Sequence, residues 1–99
     1  MIKLAVVAHE KDNVATTVRS LPKGEKVLID IFGKEINVVL KEDIPFGHKF
    51  AIKKIEKDTK IVKYGEVIGH ATEDIEVGCH VHVQNVVSDR GRGDLEVEE

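Results

Sequence analysis

From Glu25 onward the hydrophobic residues of this 99-residue chain recur every second position, and that rhythm constrains its fold more than any other feature. Val27, Ile29 and Ile31 alternate with Leu28, Asp30 and Phe32; then Ile36, Val38 and Leu40 alternate with Asn37, Val39 and Lys41. Successive side chains of a strand point to opposite faces, so the alternation describes extended chain with one face buried. Gly33-Lys34 lies between the two runs and makes them a β-hairpin with a short turn. Further strands are predicted over residues 49–55, 59–62, 66–71 and 80–87, each bounded by Gly, Pro or Asp. No internal repeat is evident.

The first twenty-odd residues read differently. Residues 2–8 form a short apolar strand, and Asp12 is placed to cap a helix over residues 13–20. Val14, Val18 and Leu21 recur at i, i+4 and i+7, which is one helical face. Leu21-Pro22-Lys23-Gly24 would end that helix, since Pro disfavours helix in the residue before it and Gly accepts the turn that follows. The expected architecture is mainly β with one short helix.

With 41% hydrophobic residues the chain can bury one modest core, and two domains would each be too small to stabilise themselves. The predicted division is a single domain over residues 1–87 and a polar, Gly-rich tail over 88–99. A domain this small gains from leaning on a partner chain. The formal net charge is −3, with acidic and basic residues interspersed. A nucleic-acid binder needs a basic face or aromatic stacking platforms; with no Trp, one Tyr and three Phe this chain has neither, so no nucleic acid is expected. No apolar run reaches the roughly 18 to 20 residues of a membrane span, so no membrane partner is expected. Cys79 is the single cysteine, which excludes an intrachain disulfide and points to a reducing, cytoplasmic setting.

Candidate chemistry gathers at five histidines, His9, His48, His70, His80 and His82. On a strand, His80 and His82 share a face and can ligate one cation together, although such pairs also occur without a ligand. Gly47-His48-Lys49 follows Ile44-Pro45-Phe46, so a turn would present an imidazole beside an ammonium, suited to a carboxylate or a hydroxyl; a solvated turn is the plain alternative. Asp12 and Asn13 can be a cap and nothing more, or can help a helix N-terminus receive an anion. Lys63-Tyr64-Gly65 and Gly69-His70 suit turns. Cys79 is a nucleophile, a ligand or an inert small side chain.

Four segments together resemble one family. They are His9-Glu10-Lys11-Asp12-Asn13-Val14-Ala15, Ile44-Pro45-Phe46-Gly47-His48-Lys49-Phe50-Ala51, Lys63-Tyr64-Gly65-Glu66-Val67-Ile68-Gly69 and Gly78-Cys79-His80-Val81-His82-Val83-Gln84-Asn85. In this order they resemble the N-terminal domain of altronate and galactarate dehydratases. Arg90-Gly91-Arg92-Gly93-Asp94 resembles the ending of small subunits in the split version, where this domain and the large catalytic domain are separate chains. The resemblance implies an SAF-type β-clip fold and a lyase. Relatives dehydrate hexonates such as altronate or galactarate to 2-keto-3-deoxy acids, and one branch eliminates sulfite from sulfolactate. Where the family commonly has Glu and a third His, this chain has Cys79 and Gln84.

The implied site has His48 and Lys49 as catalytic groups, with Asp12, Asn13, Lys63 and Tyr64 binding substrate. His9, His80 and His82 would stand beside a divalent metal, iron being expected. The implied partners are a large dehydratase subunit and a sugar-acid substrate. The rival classes are a non-catalytic sugar-acid-binding module and a free-standing metal-binding protein.

Overall fold

The computed structural model describes residues 3–88, and every regular element among them is a β-strand. The strands are β1 (Ala5–Val6), β2 (Val14–Thr17), β3 (Lys26–Ile31), β4 (Lys34–Val39), β5 (Lys49–Ala51), β6 (Lys60–Lys63), β7 (Glu66–Ala71), β8 (His80–Val81) and β9 (Val86–Ser88). The mainly β architecture stands, and the helix expected over 13–20 does not form. Val14–Thr17 is instead a strand between β1 and β5. Its residues Val-Ala-Thr-Thr are rich in β-branched side chains, and neighbours on both sides supply the ladder partners that a solitary helix would lack. The predicted tail over 88–99 lies outside the described residues except for Ser88, which closes β9.

All pairings are antiparallel. A four-stranded sheet runs β1-β2-β5-β8, a two-stranded sheet is the β3-β4 hairpin, and a three-stranded sheet runs β6-β7-β9. The four-stranded sheet is apolar on both faces. Ala15 and Phe50, paired across β2 and β5, enter a core with Val27, Ile29, Val38 and Leu40 of the hairpin region. Their neighbours Val14 and Ala51 enter a second core with Ile61, Ala71 and Val81. Each fully buried side chain of this size contributes about 1.5–3 kcal/mol, so the two cores hold the outer sheets onto the central one.

Two hairpins have two-residue turns with both φ angles positive: Phe32 (52°) and Gly33 (95°), then Tyr64 (60°) and Gly65 (72°). Such turns match the right-handed twist of the flanking strands. The first joins β3 to β4 one residue earlier than Gly33-Lys34 would place it.

A second turn type recurs four times, an internal repeat that the sequence reading missed. In each, a backbone N–H donates to the carbonyl three residues earlier: Glu25 to Pro22, His48 to Pro45, Thr59 to Glu56 and Cys79 to Glu76. The residue before each donor has positive φ: Gly24, Gly47, Asp58 and Gly78. Bridges tie the turns in pairs, Leu21 to Ile44 and Ile55 to Ile75. In each pair one Asp accepts from the opposite turn, Asp43 from Lys23 N–H at 2.7 Å and Asp74 from Lys57 N–H at 2.8 Å. The molecule is therefore two similar clasps, and the second and fourth turns lead directly into β5 and β8, the strands next to the histidines.

Candidate functional site

His80 opens β8 and lies opposite Phe50 of β5, so the two side chains share a face of the central sheet. His48 lies immediately before β5 and His82 immediately after β8, so both flank the Phe50–His80 pair. The three rings stack. Their centroids lie 4.1 Å apart for His48 and His82, 5.1 Å for His48 and His80, and 5.4 Å for His80 and His82, with planes within 21° of parallel. His48 Nδ1 is 2.9 Å from His80 Nε2. One nitrogen from each ring lies within 4.8 Å of the others, and among the described residues this is the only group of three or more His, Cys, Asp or Glu side chains so placed.

Several contacts fix His80 and the turn after it. Glu42 Oε1 accepts the His80 backbone N–H at 2.7 Å, and Gln84 Nε2 lies 3.1 Å from His80 Nδ1. Asn85 is 5% exposed. Its Nδ2 donates to the His80 carbonyl at 2.8 Å while its Oδ1 accepts the His82 N–H at 3.0 Å, so one buried amide sets the spacing of both histidines. Glu42, Gln84 and Asn85 were not among the candidate site residues. Asn85 and Gln84 lie in the segment that carries the family resemblance, but Glu42 is brought in only by the clasp that pairs Ile44 with Leu21.

The surroundings favour the neutral forms of His80 and His82. Partial burial lowers the His80 pKa, and His48, His82 and Lys49 lower it further against the opposing pull of Glu42. His82 is lowered by desolvation and then by His48 and Lys49. Lys49 is itself lowered, by burial and then by the nearby Lys63 ammonium. Lys63 Nζ lies 5.0 Å from the centre of the Tyr64 ring. The Lys49 ammonium thus stands close to the imidazoles, with Lys63 near Lys49, and a cavity of about 240 Å³ bounded by Lys49, Ile68, His82, Val83, Val86 and Ser88 opens beside them. Phe46 and Val83, next to the site in sequence, are 67% and 81% exposed.

Other predicted residues are placed elsewhere. Asp12 is 1% exposed. Its carboxylate accepts the backbone N–H of His9 at 3.1 Å, Tyr64 at 3.1 Å and Gly65 at 2.8 Å, which makes it a structural anchor in place of the expected helix cap. Asn13 is likewise engaged, its Oδ1 accepting from Val62 N–H and its Nδ2 donating to the Lys60 carbonyl. His9 is outside the imidazole cluster, which His48 forms with His80 and His82. The His9 ring lies against Gly65, where a Cβ would come within 2.9 Å of it, so a side chain there would displace the ring. Burial and then Glu42 raise the Cys79 pKa, which keeps a protonated thiol and argues against a nucleophile.

Neutral imidazoles are good ligands for a divalent cation. The donor set of three imidazoles therefore fits a divalent metal of the iron or zinc kind. No helix among the described residues is long and apolar enough to cross a membrane.

Residues 3–89 match the altronate/galactarate dehydratase SAF domain. The chain is 43% identical to altronate dehydratase of Bacillus subtilis over 84 residues, covering 85% of this chain and 16% of the relative. It is 42% identical to altronate dehydratase of Escherichia coli over 77 residues, covering 78% of this chain and 15% of the relative. The chain thus spans about a sixth of the length of these dehydratases. It is also 41% identical to the (2R)-sulfolactate sulfo-lyase subunit alpha of Paracoccus pantotrophus over 56 residues, covering 57% of this chain and 84% of that subunit. The match over residues 3–89 and these likenesses agree: the chain belongs to the SAF-domain family of altronate/galactarate dehydratases.

Proposed function

We propose that the chain is the small subunit of a two-chain sugar-acid dehydratase, catalysing loss of water from a 2-hydroxy carboxylate to give a 2-keto-3-deoxy acid. The observation that carries this reading is the convergence of His48, His80 and His82 beside Lys49, which itself has Lys63 nearby. The elimination breaks the C–H bond α to the carboxylate and the C–O bond at the β carbon. The proton passes to a base, the β-hydroxyl leaves as water with a proton from an acid, and the resulting enol tautomerises to the ketone.

Charge builds on the carboxylate as the α proton leaves, so the site must concentrate positive charge there. His48, His80 and His82 would hold a divalent cation, iron being the expected one, which when bound polarises the hydroxy acid as a Lewis acid. Lys49 and Lys63 would pair with the carboxylate and orient it. The base and the remaining ligands would come from a large dehydratase subunit closing over the apolar rim of Phe46 and Val83. In this assignment His48 is a ligand in place of His9, and Asp12 and Asn13 support the loop while Lys63 and Tyr64 remain near substrate.

Similarity to a sulfo-lyase alpha subunit over most of that subunit's length favours a second reading, elimination of sulfite from a sulfolactate-type substrate by the same chemistry. Reconstitution with a large dehydratase chain separates the two. Altronate, galactarate and sulfolactate are supplied in turn with ferrous iron, and keto-acid and sulfite are measured. The expected outcome is keto-acid from a sugar acid without sulfite, and His48→Ala should lower turnover at least about 100-fold while the two chains still co-elute. Near-normal turnover by His48→Ala removes that residue from the mechanism. Sugar-acid binding by the small chain with no activity in any pairing favours a non-catalytic module.

A further inference from the structure

The contact between Gln84 and His80 assigns a role that neither the family likeness nor the imidazole cluster supplies. His80 Nδ1 faces the Gln84 amide, with Nε2 of that amide 3.1 Å away, while His80 Nε2 faces His48 Nδ1 at 2.9 Å. A neutral imidazole carries one proton, on either nitrogen. An amide N–H can only donate, so this contact is satisfied when Nδ1 accepts, and the tautomer that it selects has the His80 proton on Nε2, facing His48 Nδ1. The two rings are then joined by a hydrogen bond, and neither of the facing nitrogens is open to a cation.

For His80 to offer the Nε2 lone pair, its proton must move to Nδ1, and Nδ1 then needs an acceptor. A half-turn of the Gln84 amide provides one, because the oxygen and nitrogen of a primary amide exchange places with little change in shape. A side chain that only donates would oppose this form, and one that only accepts would hold it permanently. The backbone of His80 is already fixed by Glu42 and Asn85, so the ring has little freedom to find another partner.

We propose that Gln84 is a positioning residue that sets the tautomer of His80, directing its amide nitrogen to Nδ1 in the metal-free chain and its oxygen when a cation is held by the imidazoles; this rests on the cation reading given above. An acceptor on the far nitrogen of a ligating imidazole fixes ring and tautomer, and loss of such a partner weakens metal affinity about 10- to 100-fold.

The full-length chain and its Gln84→Glu and Gln84→Leu variants are compared by nitrogen-15 NMR of the histidines at alkaline pH, without metal and then with Zn²⁺, and Zn²⁺ affinity is measured by competition with a chelator. In the wild-type chain His80 should carry its proton on Nε2 without zinc and on Nδ1 with it. Gln84→Glu, whose carboxylate only accepts, should show the Nδ1 proton even without zinc. Gln84→Leu should bind zinc about 10- to 100-fold more weakly than wild type. One His80 tautomer in all three metal-free chains overturns the proposal, as does undiminished affinity in Gln84→Leu while zinc still shifts the signals of His48, His80 and His82. If zinc leaves those signals unmoved in the wild-type chain, the cation reading falls instead, and the metal-free tautomers still decide what Gln84 does.

Discussion

Among single residues, Asp12 shows how a polar group in a suggestive motif can be fully used by the fold. Three backbone N–H groups converge on its carboxylate from two distant parts of the chain, residue 9 and residues 64–65. The sequence places Asp12 where a helix cap belongs, and nothing local shows that two of its three partners, Tyr64 and Gly65, lie some fifty residues further on. Removing the carboxylate would leave those donors buried or forced to find water, each at a cost of about 1–3 kcal/mol. Asp12→Ala is therefore expected to destabilise the chain by about 3 kcal/mol or more, which for a domain of this size lowers Tm by roughly 12–20 °C. Thermal unfolding followed by circular dichroism checks this, and a shift of only a few degrees would mean that the carboxylate is not the anchor of the Tyr64-Gly65 turn. Asp12→Asn should lie between, since the amide accepts at one atom only.

Strands and turns were legible from the sequence to unequal degrees. The alternation at residues 27–40 gave both strands of the first hairpin, and β7 occupies the predicted residues 66–71. The helix failed because Val14, Val18 and Leu21 fit a helical spacing by coincidence while Val14–Thr17 is claimed by ladders to β1 and β5. Tertiary pairing overrides so weak a local signal. The fourfold turn escaped because its copies begin at Leu21, Ile44, Ile55 and Ile75, at no fixed period, and share only a short degenerate pattern, Leu or Ile followed by Pro or Glu and, two residues further on, Gly or Asp. The equivalence is nonetheless physical, with Asp43 and Asp74 making the same contact to the opposing turn at 2.7 and 2.8 Å. Asp43→Ala and Asp74→Ala should each cost about 1 kcal/mol, similar in size and additive in the double variant, because each hydrogen bond serves a different clasp. Urea unfolding measures both. A large effect at one site with none at the other would show that the clasps are not energetically alike.

Across the whole molecule, the site is a product of register. His48 is 32 residues from His80 in sequence, and only the antiparallel pairing of β5 with β8, opposing Phe50 to His80, stacks the rings. The same-face pair His80 and His82 and the turn at His48 are legible in the sequence, but the register that brings the three rings together is not. The same packing has a consequence for stability in the metal-free chain. Folding lowers the pKa of His80 and of His82, through desolvation first and then through the neighbouring imidazoles and Lys49. Below about pH 6.5 the unfolded chain therefore takes up protons that the folded chain resists, so stability is full above that value and falls as the pH drops from it toward the lowered folded values. Glu42 works against the shift at His80 and limits it. Since both rings are partly exposed, solvent screening should keep the change under about 1 kcal/mol. Lys49 acts at the other end: its folded pKa is also lowered, so stability rises again as alkaline pH approaches its ordinary value of 10.5. Urea unfolding of chelator-treated protein between mildly acid and neutral pH should show the acid loss, and the double variant His80→Asn, His82→Asn should flatten that slope. An unchanged slope in the double variant would assign the acid sensitivity to other groups.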